Sequence, residues 1–135
     1  MEIEFEVVGE VVAKGRPRLS RYGTYTPAKT KNYETKVQLL FKNKFKDFKP
    51  MEGPLAIEVD VYMYIPKSDS KKMRARKKCN ELRPTKRPDW DNMAKSITDA
   101  LNGLAYKDDS QIVEATVRKW FGEEQKAVVK IKELQ

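Results

Sequence analysis

The sequence predicts an α+β fold: a small mixed β-sheet with two helices packed on one face, in the order β-α-β-loop-α-β-β. Three observations carry that expectation. Leu55, Ile57, Val59, Val61, Met63 and Ile65 alternate with polar neighbours without a break, which is the period of a half-buried strand. Tyr33, Val37, Leu40, Phe41, Phe45 and Phe48 recur at three- and four-residue steps, the period of an amphipathic helix. At 135 residues, with no internal repeat and no domain-sized linker, residues 1–135 read as a single domain.

Each element follows in order. Ile3, Phe5 and Val7 alternate with Glu2, Glu4 and Glu6, predicting a strand over 2–12 with a bulge at Gly9. Gly15 to Pro27 is rich in turn formers and reads as a loop or irregular hairpin. The first helix runs from about Ala28 to Phe48, and Pro50 to Pro54 ends it. Pro66 closes strand 55–65, and residues 66–88 follow as a mobile basic loop with helical character across Ser70–Asn80. Trp90, Met93, Ile97, Leu101 and Leu104 set a second helix from about Asp91 to Asn102, with Gly103 at its C-cap. Residues 111–121 and 126–134 alternate again and flank Gly122–Gln125, which reads as a hairpin loop.

Composition excludes whole classes of chemistry. There is no histidine and one cysteine, Cys79, so Ser-His-Asp triads, Cys-His pairs, zinc fingers and histidine-base nucleases are out. A lone cysteine forms no internal disulfide, which fits a reducing compartment, and Cys79 reads as an inert exposed thiol. No apolar run approaches the ~20 residues that span a bilayer. The acidic, alternating start is unlike a signal peptide, so a soluble intracellular protein without membrane contact is expected.

The net charge of +8 is unevenly placed. Residues 66–88 hold ten basic residues against Asp69 and Glu81, which equals the whole net charge. A second run from Ala13 to Lys36 holds seven basic residues against Glu34. Everything outside the two runs is net acidic. A single basic run is ordinarily a solvated surface. Two runs in an otherwise acidic chain are the footprint of a polyanion, nucleic acid being the commonest. Lys14, Arg16, Arg18, Arg21, Lys71, Lys72, Arg74, Arg76, Lys77, Lys78 and Arg87 are the candidate DNA-binding residues. Tyr22 and Tyr25, interleaved with arginines, are candidates for stacking on bases.

The informative acids cluster between Asp89 and Asp109. Asp89 and Asp91 stand two residues apart where the second helix begins, and in an extended segment both point the same way. Asp109 lies in the loop entering the next strand, which returns beside that helix. Three carboxylates without His or Cys make an all-oxygen site suited to Mg2+ or Mn2+. Lys95 shares a helix stripe with Asp91 and Asp99, one turn from that site, where its ammonium would offset charge developing on phosphate oxygens or orient the attacking water. The plain alternatives are a helix cap at Asp89 or Asp91, an i,i+4 ion pair between Asp91 and Lys95, and an ordinary turn at Asp108-Asp109. Trp90 reads as a staple of the helix start to the core or as a base-stacking surface.

Lys14-Gly15-Arg16-Pro17-Arg18, Tyr25-Thr26-Pro27, Arg87-Pro88-Asp89-Trp90-Asp91-Asn92 with Lys95, Asp99-Ala100-Leu101-Asn102-Gly103 and Tyr106-Lys107-Asp108-Asp109-Ser110-Gln111 together resemble the RusA family of Holliday-junction resolvases. The resemblance runs through most of the chain. It implies a homodimeric, Mg2+-dependent endonuclease that resolves four-way DNA junctions by paired nicks, without a small-molecule cofactor, in the cytoplasm of a bacterial or phage-infected cell. It carries catalytic roles onto Asp89, Asp91, Lys95 and Asp109. The rival from another class is a non-catalytic basic protein that binds branched or single-stranded DNA. The carboxylates tell against the rival, because acids beside a phosphate channel repel what a pure binder holds.

Overall fold

The computed structural model describes residues 1–15, 18–25 and 27–135; for Arg18 and Tyr25 it describes the backbone alone. A four-stranded sheet in the order β1-β6-β4-β5 forms its frame, built from β1 (Glu2–Val8), β4 (Leu55–Tyr64), β5 (Ile112–Gly122) and β6 (Lys126–Glu133). A small hairpin of β2 (Arg18–Ser20) and β3 (Gly23–Tyr25) precedes helix α1 (Ala28–Lys44). Helices α2 (Lys71–Lys78) and α3 (Trp90–Ala100) lie between β4 and β5 in the chain. The α+β class and the mixed sheet stand as the alternation predicted.

β4 sits in the middle of the sheet, antiparallel to β6 and parallel to β5. The expected hairpin at Gly122–Gln125 is therefore not one: β5 and β6 flank β4, and residues 123–125 carry the chain across its end. The burial patterns give the reason. β4 buries every second residue from Leu55 to Val61, as a central strand must, whereas β5 is exposed from Val113 to Thr116 and belongs at an edge. The first strand also stops short of the expected residue 12. Gly9, at φ 107°, turns the chain out of the sheet and donates its N–H to the Gln125 carbonyl.

One face of the sheet carries the core. Phe5, Val7, Ile57, Val59, Val129 and Ile131 meet Val37 and Phe41 of α1, Met93 and Ile97 of α3, and Leu101 at the C-cap of α3. Fully burying side chains of these types stabilises by about 1.5–3 kcal/mol each. Phe5 and Phe41 pack edge to face at 5.4 Å, and Phe45 and Phe48 extend that cluster. Helix α1 thus ends at Lys44, before the expected Phe48, while the aromatic stripe continues into the turn beyond it. The other face holds charge. Arg118 bridges Glu58 and Asp60, Lys126 meets Glu6, and Glu4 faces Lys130 across the strands.

Residues 66–88 are helical over Lys71–Lys78, within the Ser70–Asn80 stretch where helical character is expected, and are tied along β5. Ser70 caps α2 by accepting from the Met73 N–H. Arg83 donates to the Lys119 carbonyl at 2.6 Å, and Lys119 Nζ donates to the Lys86 and Pro88 carbonyls. Cys79 is exposed, as expected. No helix among the described residues is long and apolar enough to cross a membrane.

Candidate active site

Helix α3 owes its position to its own pattern. Met93, Ser96, Ile97 and Ala100 are buried, and the buried Ser96 hydroxyl donates to the Val12 carbonyl at 2.7 Å. The segment 12–15 is thereby held between two helices. Lys14 donates its N–H to the Asn92 carbonyl, while Thr30 of α1 donates to the Ala13 carbonyl and accepts from the Gly15 N–H. Gly15 is required by that closeness: a Cβ there would stand 2.9 Å from Pro27 Cγ and 3.1 Å from the Thr30 hydroxyl.

The opposite face of α3 looks into a cleft of about 260 Å3 against the edge strand β5. Asp91, Lys95 and Asp109 line it together with apolar walls from Ala94, Ala115 and Val117. Lys95 Nζ lies 2.8 Å from Asp99 and 2.9 Å from Asp109. Asp99 also holds Lys14 Nζ at 3.1 Å, and Lys14 reaches Glu34 at 2.9 Å. A chain of alternating charges, Glu34–Lys14–Asp99–Lys95–Asp109, thus crosses from α1 to the loop before β5. The bonds from Asp99 and Asp109 push the Lys95 pKa well above its ordinary value. Burial works against the charge on Lys14, but the bonds from Glu34 and Asp99 outweigh it and raise its pKa too.

Asp109 is delivered by a short 3-10 turn, Asp109–Gln111, whose N-cap is Asp108. The Asp108 carboxylate accepts from the Ser110 N–H, which lowers its pKa. Gln111 completes the arrangement. Its Oε1 accepts from the Lys107 and Asp108 N–H groups, and its Nε2 donates to the Met51 and Gly53 carbonyls. The two adjacent aspartates therefore divide the work: Asp108 builds the turn and Asp109 faces Lys95. Buried Tyr106 anchors the same loop to α3 by donating to the Thr98 carbonyl at 2.6 Å.

Three sequence expectations need correcting. Asp89 and Asp91 do not share an extended segment, because α3 begins at Trp90 and Asp91 is already in its first turn. Helical rotation sends the two side chains apart: Asp91 lines the α3–β5 cleft, and Asp89 lines a neighbouring cleft with Arg87, Pro88 and Asn92. Trp90 is no staple to the core. It is 61% exposed and lines the cleft beside Asp91, since the buried stripe of α3 lies on the other side. The plain alternatives for the acids fare differently, since the turn expected at Asp108-Asp109 is present and Asp108 caps it. The Asp89 carboxylate makes no capping bond, and Lys95 pairs with Asp99 and Asp109 rather than Asp91.

Among the described residues, no three His, Cys, Asp or Glu side chains lie close enough to share a metal ion. Asp91 and Asp109 nevertheless bring carboxylate oxygens alone to one cleft. That donor set fits Mg2+, which commonly takes one or two carboxylates plus substrate phosphates and water. Glu34, Asp91, Asp99 and Asp109 outnumber Lys14 and Lys95 here, so the cleft has excess negative charge for a divalent cation to offset.

The candidate DNA-binding residues divide by environment. Lys14 belongs to the charge chain. Lys71 and Lys72 are exposed on α2, whereas Arg76, Lys77 and Lys78 pair with Glu81, Asp69 and Glu123. Arg74 donates to the Pro66 carbonyl, and Arg87 is exposed beside Asp89. Arg21 and Tyr22 form the exposed turn of the β2–β3 hairpin. Arg16 and Thr26 lie outside the described residues, as do the side chains of Arg18 and Tyr25. Asp99 and Glu34 were not among the expected site residues. The i, i+4, i+8 stripe Asp91–Lys95–Asp99 was the signal for the first; nothing local in the sequence marks the second.

Comparison with known proteins bears on the same residues. A family model described as endodeoxyribonuclease RusA matches residues 9–132, a span containing all four of Asp89, Asp91, Lys95 and Asp109. A Bacillus subtilis (strain 168) protein described as "Uncharacterized protein YqaN" is 43% identical over 138 residues, covering 98% of this chain and 96% of its own length.

Proposed function

Because the chain belongs to the RusA endodeoxyribonuclease family, we propose that it is a Mg2+-dependent, structure-selective endonuclease that resolves four-way DNA junctions by paired nicks as a homodimer. The observation that carries this reading is Lys95, held between Asp99 and Asp109 in the cleft that Asp91 also lines. Asp91 and Asp109 would hold the metal, and Asp89 would have to turn from its neighbouring cleft to join them as a third carboxylate. Mg2+, when bound, supplies Lewis-acid activation of water and of the phosphodiester; Mn2+ fits the same donors.

The chain's own residues do the rest. Lys95 keeps its charge because two carboxylates stabilise the ammonium, so it faces the phosphate as a fixed cation when charge builds on the oxygens. Asp99 would retain Lys95 with Asp109 committed to a metal, and Lys14 holds Asp99 from behind. Arg16, Arg18, Arg21, Lys71, Lys72 and Arg87 grip phosphates and set the register of the strand. The apolar wall of Ala94, Ala115 and Val117 limits water around the reacting group.

Incubation of the protein with an end-labelled four-way junction tests the reading. Paired nicks in opposing strands are expected with Mg2+, and intact junction with EDTA. Junction binding without cleavage under any divalent cation would favour the non-catalytic rival.

A further inference from the structure

Beyond the α3 cleft, a second cavity of about 420 Å3 opens where the C-terminal ends of β4 and β5 meet the chain from Leu82 to Arg87. Its volume falls within the range of about 300–1,000 Å3 typical of small-ligand sites. Tyr64 and Phe121 give it aromatic walls, and Lys77, Arg83 and Arg87 give it cations. No carboxylate lines it, in contrast to the α3 cleft. The cations are already ordered: Lys77 Nζ stands 4.7 Å from the centre of the Phe121 ring, and the Arg83 guanidinium lies 3.5 Å from that of Trp120. Arg87 lines both this cavity and the cleft of Asp89, so the two spaces share a wall.

We propose that this cavity receives one unpaired nucleotide of the DNA strand next to the cut, its base against Tyr64 and Phe121 and its phosphates at Arg83 and Arg87. The inference rests on the nuclease reading and adds a binding site to it. Aromatic walls suit a base because every base has a π-face, and the cations match the backbone that accompanies it. A base inside a duplex has both faces covered by its neighbours. A branch point supplies bases that are cheaper to unstack, so the cavity distinguishes junction from linear DNA.

Binding in EDTA tests this apart from cleavage. Wild type, Tyr64→Ala and Tyr64→Phe are titrated against a four-way junction and a linear duplex across a series of salt concentrations. Tyr64 is 48% exposed, so its truncation opens no core void. Loss of one stacked base should weaken junction binding by Tyr64→Ala roughly 5- to 150-fold. The slope of log K against log salt should not move, because no phosphate contact is lost. Duplex binding should also stay unchanged, and Tyr64→Phe should retain the junction affinity of wild type. Unchanged junction affinity for Tyr64→Ala overturns the proposal, and so does an equal loss on junction and duplex. A wild type that binds junctions but never cuts them overturns the nuclease reading instead, while the same binding comparison still decides the cavity.

Discussion

Lysines stand in two opposite conditions in this molecule. In the α3 cleft, Lys95 lies between Asp99 and Asp109, and Lys14 between Glu34 and Asp99. On α2, Lys71 and Lys72 are exposed and make no ion pair among the described residues. A lysine with two carboxylate partners contributes little to the field far from the protein, since its neighbours cancel it, but its position is fixed. An unpaired lysine on an exposed helix has no fixed position, yet its whole charge reaches outward to a polyanion. The difference separates two kinds of basic residue: Lys95 and Lys14 hold a charge in place, whereas Lys71 and Lys72 leave theirs free to reach a polyanion.

Mutations that separate placing from attracting sharpen that contrast. The largest effect belongs to Asp109→Asn and Asp91→Asn. Single-turnover cleavage should fall to less than about a thousandth of wild type. Junction affinity should hold or improve, because removing an acid lessens repulsion of phosphate. Affinity lost in step with rate would mean that these carboxylates support the fold instead.

Next comes Lys95→Ala. A preorganised cation at a transition state is worth about 10²–10³ in rate, whereas an i,i+4 ion pair is worth only about 0.3–0.5 kcal/mol of stability. The expected outcome is a rate loss of that size with melting temperature and junction affinity nearly unchanged. Lys95→Arg keeps the charge but moves its centre, so it should rescue the rate only in part. A Lys95→Ala rate within threefold of wild type would place this lysine with those of α2.

Asp99→Asn probes the support behind Lys95. Groups that orient a functional side chain typically cost about 10–100-fold when changed. The loss should appear in kcat with KM little altered, since Asp99 sits behind Lys95 and not on the DNA. The smallest effect is that of Lys71→Ala with Lys72→Ala. Turnover at saturating DNA should stay at the wild-type value while binding weakens. Each lost phosphate contact should flatten the slope of log K against log salt by about 0.9. An unchanged slope would remove α2 from the DNA interface.

Much of this was legible in sequence because it rests on local periodicity. The alternation of β4 and the apolar stripe of α3 each fix an element by themselves, and the stripe also says which side of α3 faces away from the core. Asp91, Lys95 and Asp109 followed from that stripe plus the return of the chain at β5. What the sequence did not disclose depends on pairing between distant segments. Alternation in residues 111–121 and 126–134 cannot reveal that β4 lies between them. Glu34 reaches Lys14 only because Thr30 and Ser96 clamp the 12–15 segment, a contact with no local signature. The mistaken alignment of Asp89 with Asp91 turned on one residue of helix boundary, which is enough to rotate a side chain to another face.

The parallel pairing of β4 with β5 has a kinetic side. Closing it requires the whole chain between Tyr64 and Ile112 to be looped out, with both α2 and α3 inside that loop. Distant pairings of this kind form late, since the entropy of loop closure is lost before the contacts form. Asp109 lies in the short turn that leads into β5, so it meets Lys95 only when that strand docks. A chain caught before this step already displays the lysines of α2 to DNA while its carboxylates remain dispersed. Refolding followed by two probes should therefore show DNA affinity returning ahead of cleavage.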